Sequence, residues 1–250
     1  MIQEKKWDHK VWTELIPDLI FPRRCPVCHK PVPYYERKQG ICKACIKRLP
    51  LIGDNRCYLC GRGLSYREKE LCGECRKSGR THNYTRGFAL CSYDEVMRES
   101  IYRFKYGGRQ EYGKVYGGIM ADHFAGFMKR AGVEGIIPVP LHPERERKRG
   151  FNQAAVLAKA LGSKVGIPVF ENWVVRTENT LPMKSLNGKK RQNNLKKAFK
   201  IVQNDVKLNI TIIIDDIYTT GSTIDAIAEV LRNAGCSRVY FLTLAIGKDI

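Results

Sequence analysis

The sequence predicts an α/β protein, in which a parallel sheet flanked by helices follows a small metal-binding module. Strand-like and helix-like segments alternate from residue 87 to the end of the 250-residue chain, an order typical of parallel sheets. Residues 210–214, ITIII, form a continuous apolar run, as expected for a strand buried on both faces. Eight of the ten cysteines form four CxxC pairs before residue 76, and this clustering predicts the metal-binding module.

Composition narrows the classes of function. Charged residues make up 28% of the chain and hydrophobic residues 43%, which is globular and argues against extended disorder. Lys and Arg number 44 against 25 Asp and Glu, a formal net charge of +19 that favours polyanionic partners. No apolar run approaches the roughly 18 to 20 residues that span a bilayer, and the N-terminus lacks the features of a secretory signal. We therefore expect a cytoplasmic protein without a transmembrane segment.

Residues 1–80 and 81–250 are predicted to be two domains. Within the first, apolar side chains recur at helical spacing over residues 7–21, which predicts a helix packed on the rest of the protein. The alternative is an interfacial segment with Trp7 and Trp12 at lipid headgroups. Residues 76–85 are polar and are predicted to link the two domains.

The CxxC pairs predict two structural zinc sites. Two thiolates at positions i and i+3 chelate one ion, two such pairs complete a tetrahedral site, and thiolates favour zinc over hard cations. An iron–sulfur cluster is the weaker alternative. Both sequential and crossed pairing of the CxxC units fit the spacing. Sequential pairing gives one site of Cys25, Cys28, Cys42 and Cys45 and a second of Cys57, Cys60, Cys72 and Cys75. The remaining Cys91 and Cys236 are expected to be small buried core residues.

The second domain is predicted element by element from its periodicity. The expected order is strand 87–93, helix 94–106, helix 113–130, strand 135–140, a basic loop, helix 152–161, strands 173–175 and 198–202 around a long polar stretch, strand 210–214, helix 222–234 and strand 238–246. Strands and helices that alternate in this way form a sheet with its ligand site at the carboxyl ends of the strands.

The stretch 210–223, ITIIIDDIYTTGST, predicts such a site. Asp215 and Asp216 end the buried strand, where their carboxylates can accept hydrogen bonds from a sugar diol. The loop and helix start that follow gather backbone N–H groups and hydroxyls around one point, an arrangement that suits a phosphate; the residues are Thr219, Thr220, Gly221, Ser222 and Thr223. The chain has neither a Walker motif nor GxGxxG, which disfavours nucleoside triphosphatases and dinucleotide-binding proteins.

These residues resemble the phosphoribosyl pyrophosphate (PRPP) motif of type I phosphoribosyltransferases. The resemblance implies that Asp215 and Asp216 hold the ribose hydroxyls and that Thr219–Thr223 hold the 5′-phosphate. A wider resemblance, to the ComF family of competence proteins, covers nearly the whole chain. It rests on FP..C..C at 21–28, FKYGG at 104–108, IIPVPLH at 136–142, RGFNQA at 149–154, R-x-x-N-L-x-x-A-F at 191–199 and DDIYTTGST at 215–223.

The ComF resemblance implies a type I phosphoribosyltransferase fold with an N-terminal double zinc ribbon. It implies that Val139, Pro140 and Leu141 hold pyrophosphate through backbone groups and that Mg²⁺ accompanies PRPP. Lys105 either reaches the pyrophosphate as a point charge or is a solvated lysine at a helix end. The implied role is natural transformation, in which the protein takes single-stranded DNA into the cytoplasm, with competence DNA-uptake proteins as partners and a peripheral position at the inner membrane face.

Two functions stay open. The first is a phosphoribosyltransferase of unknown acceptor, for which no catalytic residue is assigned. The second is a non-catalytic module that binds single-stranded DNA and keeps a regulatory or vestigial PRPP pocket. Basic residues serve either hypothesis. Those within residues 176–197 suit a lid over an anionic substrate; they are Arg176, Lys184, Lys189, Lys190, Arg191, Lys196 and Lys197. The same residues, together with Arg145, Arg147, Lys148 and Arg149, suit a nucleic-acid track instead.

Overall fold

The computed structural model describes residues 22–79, 81–177, 198–202 and 206–247. The predicted N-terminal segment, residues 7–21, and most of the basic segment, residues 178–197, lie outside the described residues. None of the described helices is long and apolar enough to cross a membrane.

The cysteine-rich region repeats one local plan. Helices α1 (Lys43–Ile46) and α2 (Gly73–Ser78) each begin directly after the third cysteine of a set. A carboxylate from an earlier turn caps each helix start: Glu36 accepts from the Lys43 N–H at 3.0 Å, and Glu68 accepts from the Gly73 N–H at 2.6 Å. The caps fix where each short helix begins, and with it the position of the CxxC pair at its start.

The second part of the chain contains a parallel sheet. The described strands are β1 (Arg86–Ser92), β2 (Gly135–Pro138), β3 (Val174–Arg176), β4 (Phe199–Ile201), β5 (Ile210–Tyr218) and β6 (Arg238–Ile246). Four of them form an all-parallel sheet in the order β1-β6-β5-β2, and β3 and β4 form a separate antiparallel pair. The α/β fold with a parallel sheet flanked by helices is therefore confirmed.

The helices of this part are α3 (Glu95–Tyr106), α4 (Glu111–Ala131), α5 (Pro143–Arg149), α6 (Gln153–Val165) and α7 (Ser222–Asn233). The prediction of a basic loop between β2 and α6 is wrong, because α5 forms there. His142 caps α5, a proline occupies its first turn, and Gly150, with φ +80°, ends it. Since all the residues after Pro143 in this helix are charged, it has no apolar periodicity by which to be recognised.

The segment predicted to be a polar linker, residues 76–85, is packed against the sheet domain. Its first residues belong to α2. The Asn83 N–H donates to Asp225 on α7 at 2.7 Å, and the Tyr84 side chain is buried. The end of the segment, residues 82–85, is therefore partly buried, whereas Arg76, Lys77 and Thr81 are exposed.

Side chains alternate between the two faces of the sheet, as the pleat requires. On β5, Ile212 and Ile214 point into a core with α3, α4 and α6, while Ile213 points into a core with α7. The predicted burial of Cys91 and Cys236 is confirmed at 0% and 3% exposure. Both cores also include cysteines of the N-terminal region.

The two halves of the cysteine-rich region attach to the sheet domain differently. The first half docks on α3, where Ser100 donates to the Pro26 carbonyl at 2.6 Å and Arg103 donates to the Val27 carbonyl at 2.8 Å. The second half makes backbone hydrogen bonds with β1, from the Gly87 N–H to the Leu59 carbonyl at 2.7 Å and others. The cysteines of the first half belong to the core that contains Ile212 and Ile214, and those of the second half to the core that contains Ile213, so the two halves pack on opposite faces of the sheet.

Candidate functional site

The eight cysteines form two compact sets, and we call them the first and the second cysteine cluster. The first is Cys25, Cys28, Cys42 and Cys45, and the second is Cys57, Cys60, Cys72 and Cys75. In each cluster the sulfur atoms all lie within 4.8 Å of one another. The pairing is sequential, and the crossed alternative is wrong. Each cluster also has a backbone turn of positive φ directly after its second cysteine, at His29 (φ +62°) and Gly61 (φ +75°).

The clusters fit structural zinc. With Zn–S bonds of about 2.3 Å, the sulfurs of a tetrahedral site lie roughly 3.8 Å apart. The Sγ atoms of Cys28 and Cys42 are 4.0 Å apart, and those of Cys60 and Cys72 are 3.7 Å apart. Burial raises the pKa of Cys42 and of Cys45 to about 12, so four thiolates need a bound cation. A zinc ion would supply that charge, with all four ligand positions taken by protein.

The predicted acid pair lies near the carboxyl end of β5, an inner strand of the sheet; the strand continues through both acids to Tyr218, beyond the predicted bound of residue 214. Pro138, the last residue of β2, is in register with Ile214, so the chain that leaves β2 emerges next to Asp215. Asp216 is 8% exposed, and its carboxylate lies 2.9 Å from the Lys105 Nζ at the end of α3. The alternative of a solvated Lys105 is wrong, because the side chain is 16% exposed and ion-paired.

Asp215 is the titratable centre of this site. Burial raises the pKa of its carboxyl to about 7, and the charge of Asp216 acts in the same direction, while Lys105 opposes them. The Asp216 N–H donates to the Asp215 carboxylate at 2.8 Å. The site therefore takes up or releases a proton near neutral pH, and a ligand that prefers one charge state shifts that equilibrium.

The predicted phosphate loop follows directly. Thr219 and Thr220 are exposed, and the hydroxyls of Thr220 and Ser222 are 3.0 Å apart. Gly221 adopts a left-handed backbone, φ +75°, and α7 begins after it. A side chain at Gly221 would overlap the Tyr218 ring and hydroxyl. Tyr218 is itself fixed, because its hydroxyl is 3.0 Å from that of Tyr84.

The predicted pyrophosphate loop, Val139 to Leu141, continues the sheet at the same edge. The Val139 N–H donates to the Ile214 carbonyl at 2.9 Å, and Asn152 Nδ2 donates to the Val139 carbonyl at 3.0 Å. Asn152 also caps α6 through its Oδ1, so one side chain ties this loop to a helix. We assigned no role to Asn152 from the sequence, although an asparagine before an apolar helix is a capping signal.

A cleft of about 360 Å³ opens beside this loop. Pro140 and Leu141 form one side of it, and Phe151, Val174 and Arg176 line other parts. The Arg176 side chain is near enough to Asp215 for their charges to interact. The cleft thus lies between the predicted pyrophosphate loop and Arg176, the first basic residue of the segment predicted to be a lid.

The fold and the cysteine clusters define a class of protein, a double zinc ribbon followed by a phosphoribosyltransferase-type domain. Residues 16–76 match the Double zinc ribbon domain family, and residues 147–249 match the Phosphoribosyl transferase domain family.

Three relatives then identify the family. The chain is 30% identical to Competence protein F of Haemophilus influenzae, over 83% of this chain and 91% of that protein. It is 31% identical to Competence protein ComFC of Bacillus subtilis, over 79% and 80% of the two chains. It is 27% identical to DNA utilization protein YhgH of Shigella flexneri, over 88% and 96%. The chain belongs to the ComF family of competence proteins.

Proposed function

We propose that this chain binds PRPP with Mg²⁺ at the carboxyl end of β5. The observation that carries the proposal is the adjacent pair Asp215 and Asp216 on β5, of which Asp216 is buried, followed five residues later by a left-handed glycine and the start of α7. In the complex, the two carboxylates accept hydrogen bonds from the ribose 2′ and 3′ hydroxyls. The loop Thr219–Thr223 donates to the 5′-phosphate through backbone N–H groups and hydroxyls.

The pyrophosphate of PRPP then lies over Val139, Pro140 and Leu141. Lys105 supplies a positive charge there once the diol hydroxyls bind and satisfy Asp216, with which it forms an ion pair in the structure. Oxygen ligands from one or two carboxylates, completed by substrate phosphates, suit Mg²⁺, and Asp215 and Asp216 provide such carboxylates. A bound Mg²⁺ would neutralise charge on the pyrophosphate leaving group.

The activity proposed for this pocket is phosphoribosyl transfer. The bond between the anomeric carbon and the pyrophosphate oxygen breaks, the acceptor forms the new bond to that carbon, and pyrophosphate leaves with the bonding electrons. Water has to be excluded from the site during this step, because it would otherwise hydrolyse the sugar. The acceptor is unassigned. The non-catalytic alternative predicts PRPP binding without release of pyrophosphate.

A role in handling single-stranded DNA is the second part of the proposal. It is supported by the formal net charge of +19 and by the competence and DNA-utilization names of the relatives. Binding through phosphates makes affinity fall steeply as salt rises. We propose that the protein acts at the cytoplasmic face of the membrane, next to the DNA-uptake proteins.

Calorimetric titration with PRPP and Mg²⁺ tests the pocket. We expect Asp215→Asn and Asp216→Asn each to lower the affinity for PRPP about 10- to 100-fold, since each removes the charged acceptor of a hydrogen bond. Asp122→Asn is the control, because Asp122 is an exposed acid paired with Lys164 on another helix. Ribose 5-phosphate should compete with PRPP, and pyrophosphate should compete more weakly. Equal PRPP affinity in the parent and in both pocket variants would contradict the proposal.

A further inference from the structure

Two exposed tyrosines stand one turn apart on α3. Tyr102 is 65% exposed and Tyr106 is 60% exposed, and their ring centroids are 5.1 Å apart. The Arg149 guanidinium lies 5.2 Å from the centroid of the Tyr106 ring and donates to the Tyr106 hydroxyl at 3.3 Å. A second hydrogen bond, to the Gln153 side chain at 2.9 Å, holds the guanidinium in place. The result is an ordered aromatic and cationic surface that remains open to solvent.

This surface, which we call the tyrosine platform (Tyr102, Tyr106 and Arg149), borders the proposed PRPP pocket. The residue before Tyr106 is Lys105, which forms the ion pair with Asp216. The charge of Arg149 acts on Asp215. The next residue after Arg149, Gly150, lines the 360 Å³ cleft together with Phe151. The platform therefore lies near both the acid pair and the cleft.

We infer that the tyrosine platform stacks the bases of a single-stranded nucleic acid and leads that strand across the mouth of the proposed pocket. The inference rests on the proposed DNA function and deepens it by giving the strand a place. Every base has a π face, so aromatic stacking holds single strands of any sequence. A duplex keeps its bases stacked inside and offers no faces to the platform.

Charge complementarity favours a nucleic acid over an apolar peptide. The helix that provides Arg149 also carries Arg145, Arg147 and Lys148 against Glu144 and Glu146, and Arg147 and Lys148 are exposed. Guanidinium groups both stack on bases and pair with phosphates. A strand whose bases lie on Tyr102 and Tyr106 would have its phosphates within reach of this basic helix.

The chain contains a matched control for the platform. Tyr66 is 87% exposed, and the Arg67 guanidinium lies 5.2 Å from its ring centroid and donates to its hydroxyl at 2.8 Å. The chemistry is the same as that of Tyr106 and Arg149, but the pair lies in the loop between Cys60 and Cys72 rather than on α3. Loss of a generic exposed tyrosine can thus be separated from loss of the platform.

Binding of an oligo(dT) strand is measured by fluorescence anisotropy, next to PRPP calorimetry on the same preparations. We expect Tyr106→Ala to lower oligo(dT) affinity at least fivefold. The oligo(dT) affinity of Tyr106→Phe should stay near that of the parent because the aromatic ring remains. Tyr66→Ala should bind oligo(dT) like the parent. The slope of log affinity for oligo(dT) against log salt concentration should be the same in Tyr106→Ala as in the parent. Arg149→Gln should reduce this slope, since it removes a phosphate contact. PRPP affinity should be unchanged in Tyr106→Ala.

The outcomes separate the platform from the proposed function. Equal losses in Tyr106→Ala and Tyr66→Ala, or no loss in either, overturn the platform while leaving DNA binding intact. A parent protein that binds PRPP but no oligo(dT) overturns the DNA function and the platform with it. A parent protein that binds oligo(dT) through Tyr106 but binds no PRPP supports the platform and contradicts the proposed pocket.

Discussion

The cysteine clusters and the acid pair both bring groups of like charge together, and they differ in what neutralises them. In each cluster four thiols lie within 4.8 Å of one another, and a metal ion is the counter-charge that fits among them. At the end of β5, the counter-charge is a side chain, Lys105, which reaches Asp216 from another helix. The first arrangement leaves no ligand position open, and the second leaves the acids available to a ligand.

The difference separates structural from functional chemistry in this molecule. A closed four-thiolate site contributes its binding energy to folding and has none left for a substrate. An acid pair that faces a single lysine is only partly neutralised, so its charge changes with pH and with ligand. Five predictions, from the largest expected effect to the smallest, test this contrast.

Loss of a zinc ligand should have the largest effect. Cys57 is fully buried and belongs to the core on the α7 face of the sheet. Cys57→Ser should reduce the zinc content from about two ions per chain to about one and lower the free energy of unfolding by about 5 kcal/mol or more. Elemental analysis and denaturant unfolding measure both. Cys236→Ser is the control: it changes a buried cysteine outside the clusters and should keep both ions. A Cys57→Ser protein with two zinc ions would contradict the assignment.

Which parts of the two kinds of site could be predicted from the sequence depends on how close their residues are along the chain. Zinc ligands are recognisable because each CxxC pair is local, although the spacing alone did not decide how the pairs combine. The acid pair and phosphate loop are also local, within residues 210–223. The partner of Asp216 is not local, since Lys105 lies 111 residues away, and only the packing of α3 against the sheet brings them together. The tyrosine platform was missed for the same reason, because Arg149 reaches Tyr106 from a different helix.

The second prediction concerns Lys105. Lys105→Met should leave the Asp216 carboxylate, 8% exposed, without its cation and destabilise the protein by about 3 kcal/mol at neutral pH. Lys105→Arg should recover part of the loss. The double variant Lys105→Met/Asp216→Asn should be more stable than the sum of the single changes predicts, because the unpaired charge is gone. Additive effects in denaturant unfolding would show that the pair is not coupled.

The third prediction is a pH dependence of stability that comes from Asp215. The pKa of Asp215 is raised from 3.8 to about 7, mainly by burial. The folded protein therefore binds more protons than the unfolded chain between these values, and this group makes stability fall as pH rises through that window. As the pH rises from 5 to 8, the free energy of unfolding of Asp215→Asn should increase relative to that of the parent by on the order of 2 kcal/mol. A constant difference between the two proteins would contradict the raised pKa.

Ligand binding should depend on pH with the opposite sign. The ribose hydroxyls donate to ionised Asp215, so PRPP affinity should rise about tenfold from pH 6 to pH 8 as the carboxyl releases its proton. Asp215→Asn should bind weakly and lose most of this rise. Calorimetry at several pH values, in buffers of different ionisation enthalpy, measures the proton released on binding.

The last and smallest effect tests whether the open site is preformed. Gly221 and Gly166 have nearly the same left-handed backbone, φ +75° and +74°, but an added Cβ at Gly166 meets nothing within 4 Å, whereas one at Gly221 overlaps Tyr218. Gly166→Ala should therefore cost about 1 kcal/mol through backbone strain alone. Gly221→Ala should cost about 1 to 2 kcal/mol more, because Tyr218 is held by its hydroxyl contact with Tyr84 and by stacking on Phe241.

Tyr218→Phe completes this comparison. It removes the hydroxyl that lies nearest the added Cβ, so the pair Gly221→Ala/Tyr218→Phe should be less destabilised than the sum of the two single changes. If Gly221→Ala and Gly166→Ala cost the same in denaturant unfolding, Tyr218 moves aside freely and the loop is not preformed. A larger cost at Gly221, accompanied by weaker PRPP binding, would mean that the phosphate loop is as rigidly built as the cysteine clusters although it is open. In that case the adjustable part of the site is its charge and not its backbone.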